Sequence, residues 1–376
     1  MLPLLPGWLL LLQADETTPL QNIVSAQAKS DVLYGTAIHG NEVEHKLALV
    51  ARRNPSVVAL GSSRMEQFRQ EFFDQSFVCV CTVMGAIEDA EPLIDEILHR
   101  HKPKVVLFGV DYWWFSDVPQ GRNVHSVRKK PNKITLQKLM LPIEWWKRGR
   151  LSTGQYWATI FQQETVKTLP GYQLAGLSAL LNGRGVRPDG SVLHGNMLFA
   201  SASVQPSQDI NVMRERVRIG HPLYPHKSKL KPSQISILEQ AISKLGDAGV
   251  RVIVILPPML PLVVDLLDKS DNHAYVSEII AALSTAKPAV HNYHDARSIG
   301  ATGCEFLDDR HAGDVTNMRI LIDIAKRNKD GDALPWTKDK LIKAVERFSG
   351  RALAQFDPAK FNGREGDFLK LGCAKS

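Results

Sequence analysis

Ser56-Val57-Val58-Ala59-Leu60-Gly61-Ser62-Ser63-Arg64 is the stretch that decides the fold. Asn54-Pro55 breaks the chain just before it, and a β-branched, apolar run then goes straight into glycine. A short apolar run bounded by turn residues reads as a buried strand, with the Gly-Ser-Ser segment as the tight turn that ends it. A helix from Glu66 to Phe73 is expected next.

Outward from this stretch the alternation repeats. Phe77-Val78-Cys79-Val80-Cys81 reads as a second buried strand. Beyond Gly85, the residues Ile87, Leu93, Ile94, Ile97 and Leu98 recur at helical spacing up to His101. Pro103 resets the chain, and Val105-Val106-Leu107-Phe108-Gly109-Val110 is a third strand ending at Asp111. Residues 116–230 are different: rich in Gly, Pro, Trp and basic residues, they read as a partly helical insertion over the core. Regularity returns at Pro232, with a helix through Ile235, Leu238, Ala241, Ile242 and Leu245. Strand Val250–Leu256 follows, then a helix near Tyr275–Ala286, a weak strand at Ala289–Tyr293 and helix Val315–Arg327. Strands alternating with helices imply a largely parallel sheet covered on both faces. The expected fold is therefore α/β, a three-layer sandwich with about five mostly parallel strands. The expected division is a lead-in over residues 1–53, a core over 54–328 that includes the 116–230 insertion, and a tail over 329–376. In that tail one amphipathic stretch runs from Lys338 to Phe348.

Composition bounds the function. The 376 residues are 44% hydrophobic and 23% charged, which suits a globular core. Forty-six Lys+Arg against 39 Asp+Glu give a formal net charge of +7. Such an excess favours phospholipid headgroups or anionic polymers, but it is not the dense basic stripe of a nucleic-acid binder. Two basic groups, Arg128-Lys129-Lys130 and Lys227-Ser228-Lys229-Leu230-Lys231, read as solvated loops. The four cysteines, Cys79, Cys81, Cys304 and Cys373, lack zinc-type spacing and read as buried free thiols. No Walker A loop or GxGxxG pattern sits in a strand–helix turn, so no nucleotide cofactor is expected. His291 and His294 lie three apart without an HExxH pattern, and no metal is expected either. At the start, Leu2–Leu12 is almost wholly apolar yet shorter than the roughly 20 residues of a membrane span. Two readings stay open: the end of a membrane anchor or signal, or a short helix packed on the domain.

The chemistry centres on Ser63. A serine at a strand-to-helix turn is exposed at the sheet edge, where the helix N-terminus favours negative charge. The competing reading is that Ser62 and Ser63 only cap the helix. A serine nucleophile needs a base. Asp308 and His311, in Phe306-Leu307-Asp308-Asp309-Arg310-His311, stand three residues apart and can share one side of a turn. His311 can then take the serine proton while Asp308 holds the imidazole tautomer, with Asp309 as the fallback orienter. Tyr112-Trp113-Trp114-Phe115 follows the third strand, either as packing beneath the insertion or as a platform for stacking sugars.

These residues together resemble the SGNH (GDSL-like) hydrolases and acyltransferases. Gly61-Ser62-Ser63 looks like that family's nucleophile block, and Asp308-x-x-His311 like its closing block. Gly85 matches the glycine whose N–H meets the oxyanion, and Gly109-Val110-Asp111 resembles the Gly-x-Asn block. The resemblance covers about residues 54–115 and 232–328 and is nearest to the bacterial envelope polysaccharide O-acetylation branch. It implies a flavodoxin-like core and a serine esterase or O-acyltransferase acting on an acyl-ester carbohydrate, without cofactor or metal. Ser63, His311 and Asp308 would be catalytic, and Ser63 and Gly85 would hold the oxyanion. Trp113, Trp114 and Arg64 would contact substrate. It also implies an envelope location on the periplasmic side of the inner membrane, membrane-surface contact and a membrane-bound O-acyltransferase as partner, and no nucleic acid. The sequence departs from the pattern at Asp111, where an ionised carboxylate repels an oxyanion, and at Ser62. That departure keeps a second reading open, an inactive carbohydrate-binding or scaffold subunit, and a cytoplasmic esterase remains the alternative location.

Overall fold

The computed structural model describes residues 5–38, 40–118, 136–149, 151–161, 169, 171–195, 209–328, 333–356 and 365–375. Arg128-Lys129-Lys130 lies outside the described residues. Nine strands run β1 (Val32–Tyr34), β2 (Val57–Leu60), β3 (Phe77–Val80), β4 (Val105–Gly109), β5 (Gln173–Ala175), β6 (Arg184–Val186), β7 (Val192–His194), β8 (Arg251–Leu256) and β9 (His291–Asn292) among the described residues. The helices of the first half are α1 (Leu5–Gln13), α2 (Leu20–Gln27), α3 (Glu42–Arg53), α4 (Ala90–Arg100), α5 (Leu136–Lys147), α6 (Thr153–Ile160) and α7 (Leu177–Asn182). Those of the second half are α8 (Ile210–Arg218), α9 (Pro232–Asp247), α10 (Pro261–Asp268), α11 (Tyr275–Ser284), α12 (Asp314–Arg327) and α13 (Lys338–Phe348).

The main sheet has five strands in the order β3-β2-β4-β8-β9, every pair parallel. Val57 pairs with Val105 and Leu60 with Phe108, so the first and third expected strands are parallel neighbours. Strand side chains alternate between faces, and here both faces are apolar. Val58, Leu60, Val106, Phe108 and Val254 pack with α3, α4, α9 and α11 on one side. Val57, Ala59, Phe77, Leu107 and Ile255 pack with α12, α13, Phe68 and Phe72 on the other. The result is the expected three-layer α/β sandwich. Each such side chain fully withdrawn from water contributes about 1.5–3 kcal/mol, so the two helical layers hold the sheet.

A second sheet, β5-β1-β6-β7, joins the lead-in to the insertion: β1 pairs parallel with β5 and antiparallel with β6. The expected helix over Glu66–Phe73 is instead two 3-10 turns, Ser63–Met65 and Gln70–Phe72. Glu66, Gln67, Phe68, Arg69, Phe72 and Phe73 are all buried and only Gln70 and Glu71 reach solvent, too narrow a face for a regular helix to present. Its polar side chains find scattered partners: Gln67 donates to the Val192 carbonyl at 3.1 Å and Arg69 to Asp314 at 2.8 Å.

The cysteines are corrected as well. Cys79 is bonded to Cys81 and Cys304 to Cys373, with Cα separations of 5.2 and 5.7 Å, inside the range a disulfide spans. The loop holding Lys227 and Lys229 is exposed and tied down by Asp117, which accepts from the Ser228 hydroxyl at 2.6 Å. At the start, α1 buries Leu10 and Leu11 against Leu151 and Leu177. Among the described residues no helix is long and apolar enough to cross a membrane.

Candidate active site

Strand β2 delivers its last residue, Leu60, to the carboxyl edge of the sheet, the edge where parallel α/β sheets bind ligands. Gly61 follows with φ +153°, and a Cβ there would lie 2.8 Å from the Gly109 carbonyl oxygen. Only glycine lets β2 and β4 approach this closely as the chain turns. Ser62 then takes the cap, its hydroxyl oxygen accepting from the Arg64 N–H at 3.2 Å. The two serines thus divide the work, and the Ser63 hydroxyl is left to face His311, with Oγ to Nε2 at 2.7 Å.

The imidazole comes from the other end of the core, 248 residues away. A bridge between Phe306 and Ala312, with the Leu307 N–H donating to the His311 carbonyl at 2.8 Å, folds the intervening loop back on itself. Asp308 sits inside that loop. Its Oδ1 accepts from the Arg310 and His311 N–H groups at 3.0 and 2.9 Å. Its Oδ1 and Oδ2 lie 2.8 and 2.7 Å from His311 Nδ1. A carboxylate only accepts, so Nδ1 carries the proton and Nε2 is left to accept from Ser63.

The electrostatics fit that assignment. Burial disfavours an imidazolium at His311, but the charge and hydrogen bond of Asp308, with help from Glu66, outweigh it and raise His311 above its ordinary value of 6.5. Burial pushes Asp308 up, yet His311 and Arg310 win and hold it far below the usual carboxylate range. Asp309 turns away: it accepts from the Tyr224 hydroxyl at 2.7 Å and from Arg310 at 3.1 Å. Asp308, not Asp309, meets the imidazole.

Five expected contact residues are placed otherwise. The Gly85 N–H donates to Asp89 at 2.8 Å and is spent within its own loop. Asp111 is 1% exposed and ion-paired with Arg64 at 3.1 Å, so it offers no donor to an oxyanion. Burial pushes its carboxyl up while the Arg64 guanidinium pulls the other way. Arg64 itself is buried; it also donates to the carbonyls of Arg310, at 3.2 Å, and Pro257, and lies 5.0 Å from the Trp113 ring centre. It is a strut joining the ends of three core strands to the His311 loop, not a free cation for substrate. Trp114 is 1% exposed in the core, and Trp113 is half-buried edge-on to Tyr112. Neither offers an open stacking platform.

Beside Ser63 lies a cavity of about 360 Å³ whose far wall is the second sheet. Tyr34, Asn41, Glu66, Thr82, Ser178 and Arg184 contribute hydroxyl, amide, carboxylate and guanidinium groups to it. Glu66 is buried and bonded to His194 at 2.7 Å. Burial pushes its carboxyl up, but His194, His311 and Arg184 bring it down to about 2, so it stays ionised. Thr82, just after β3, holds φ +73°, a left-handed backbone that β-branched residues rarely adopt. Sequence reasoning missed this cavity wall; only Glu66, three residues after Ser63, carried a signal. The histidine pair is split: His294 is buried edge-on to Tyr112 while His291 stacks on Tyr293, and among the described residues no group of three metal-ligating side chains occurs.

No family model, no curated protein and no solved structure matches the chain.

Proposed function

We propose that this chain is a serine esterase or O-acyltransferase of the SGNH type, acting on an acetyl-type ester of an envelope carbohydrate. The observation that carries the reading is the Ser63–His311–Asp308 relay, with 2.7 Å contacts on both sides of the imidazole, at the carboxyl edge of a parallel sheet. Ser63 Oγ attacks the acyl carbonyl as His311 Nε2 takes its proton. The tetrahedral adduct collapses, the Ser63 acyl ester stays, and the departing alcohol leaves with the proton from His311. Water or a sugar hydroxyl then attacks the acyl-enzyme with His311 again as base, and Ser63 is regenerated. No cofactor is needed. With Gly85 engaged elsewhere, the Ser63 N–H is the donor we assign to the oxyanion. The polar cavity beside Ser63 suits a polyhydroxyl acceptor. Two disulfides fit an oxidising compartment and so favour the envelope, on the periplasmic side of the inner membrane, beside a membrane-bound O-acyltransferase.

A second reading has its own support. The engaged Gly85 N–H and the Arg64–Asp111 pair leave few donors for an oxyanion. That arrangement suits a carbohydrate-binding or scaffold subunit without catalysis. Hydrolysis of p-nitrophenyl acetate by the purified chain and by Ser63→Ala separates the two. Turnover lost in Ser63→Ala supports the esterase. Turnover absent from both supports the scaffold, and turnover kept in Ser63→Ala removes the serine mechanism.

A further inference from the structure

We propose that the layer formed by α1, α5 and α6 docks the protein on an anionic phospholipid surface. Seven of the nine exposed large apolar side chains among the described residues belong to this layer. Trp8, Leu9 and Leu12 are 38–41% exposed on α1, and Trp146, Trp157 and Phe161 are 50–65% exposed on and just beyond α5 and α6. The inner sides of the same helices are already satisfied: Leu10, Leu11 and Ala14 are fully buried with Leu151 and Leu177. Neither α1 nor α6 carries a charged residue. A helix apolar on all sides belongs in a core or in lipid. Among the described residues no helix is long and apolar enough to cross a bilayer. These helices are therefore suited to lie in the interface plane, where tryptophan rings are favoured.

The charge around this layer decides the occupant. On and after α5 stand three cations, Lys138, Lys147 and Arg148, with one acid, Glu144, which lies 4.0 Å from Arg148. Anionic headgroups complement this rim. A second copy of the chain related by a two-fold axis would instead bring like charges together. The inference is independent of the esterase reading, since vesicle binding needs no turnover and turnover on a soluble ester needs no vesicle.

The test is flotation of the full chain with vesicles of phosphatidylcholine alone or with about 30% phosphatidylglycerol, together with quenching of tryptophan fluorescence by lipid brominated high on its acyl chains. Expected are flotation with the anionic vesicles, quenching, and about a tenfold or greater loss of partitioning in Trp146→Ser/Trp157→Ser/Phe161→Ser. Lys138→Glu/Lys147→Glu/Arg148→Glu weakens binding at low salt. Circular dichroism verifies folding; where the triple variant fails it, Trp157→Ser alone reduces the quenching. No flotation, flotation unaffected by the aromatic changes, or a stable dimer that binds no vesicles overturns the proposal. In each case p-nitrophenyl acetate turnover, read on the same preparations, reports separately on the active site.

Discussion

Asp308→Asn tests the relay at its most sensitive point. Oδ1 of Asp308 accepts two backbone N–H groups at 2.9 and 3.0 Å. An asparagine must keep its carbonyl oxygen there, because an amide NH2 facing two donors leaves both unpaired. Its NH2 then falls where Oδ2 now stands, 2.7 Å from His311 Nδ1. The amide donates to Nδ1, the ring proton moves to Nε2, and His311 can no longer accept from Ser63. The variant thus keeps its hydrogen-bond count but holds the wrong tautomer, a defect that costs about 10,000-fold in turnover, roughly 5 kcal/mol of barrier. The assay is p-nitrophenyl acetate hydrolysis, with thermal melts to show that the fold persists. Asp309→Asn is the companion, since Asp309 bonds Tyr224 rather than the imidazole, and its folded fraction keeps turnover within a few-fold of the parent. A loss under about tenfold in Asp308→Asn, or equal losses in the two variants, would refute the tautomer argument.

Three further outcomes follow from the same geometry. Catalysis needs neutral His311, whose pKa is raised above 6.5, so kcat/KM falls as pH drops through a midpoint above that value; Glu66→Gln removes one of the raising carboxylates and moves the midpoint down, as a pH–rate profile reads out. Arg64→Ala leaves the Asp111 carboxylate buried without its cation and costs about 3–5 kcal/mol in urea unfolding, of which Arg64→Ala/Asp111→Asn recovers a large part; a cost below about 1 kcal/mol removes Arg64 as a strut. Cys304→Ser/Cys373→Ser opens a 69-residue loop and lowers stability by about 4 kcal/mol on loop-closure grounds, while reducing agent on the double variant changes its melting point far less than the parent's.

The main sheet was legible because β2, β3 and β4 are apolar runs and β8 is apolar after Arg251, the mark of strands buried on both faces. Helices α9, α12 and α13 were readable from their periodicity to within a residue or two. The second sheet was not, since strands of three residues are too short to show a period and β1 finds its partners only across the length of the core. At the site, Ser63, Asp308 and His311 stood out as reactive residue types at element ends. The state of the Gly85 N–H depends on where Asp89 turns its carboxylate, and the state of Arg64 on four segments converging around it. Trp114 sat in an aromatic run whose buried and half-buried members look alike in sequence. Cys304 and Cys373 gave no spacing cue because their pairing is made by the tail returning to the core.

The relay stands on one sheet and the cavity wall beside it on another. Tyr34 comes from the lead-in, Arg184 and Val192 from the insertion, while Ser63, Asp308 and His311 come from the core between and after them. Tyr34 and Arg184 lie on β1 and β6, the inner strands of the second sheet, whereas Ser63 follows β2 of the main sheet. On the proposed esterase reading, selection for a new acceptor has its target in the cavity-lining side chains of Tyr34, Thr36, Arg184 and Val186, while Gly35, Gly185 and Gly190 in the same segments are packed as tightly as Gly61. In the β2 turn, Gly61 is wedged between Gly109 and Met65 and tolerates almost nothing. The fixed backbone of the β2 turn thus stands beside a wall whose glycines are equally fixed and whose cavity-facing side chains are the part that can change.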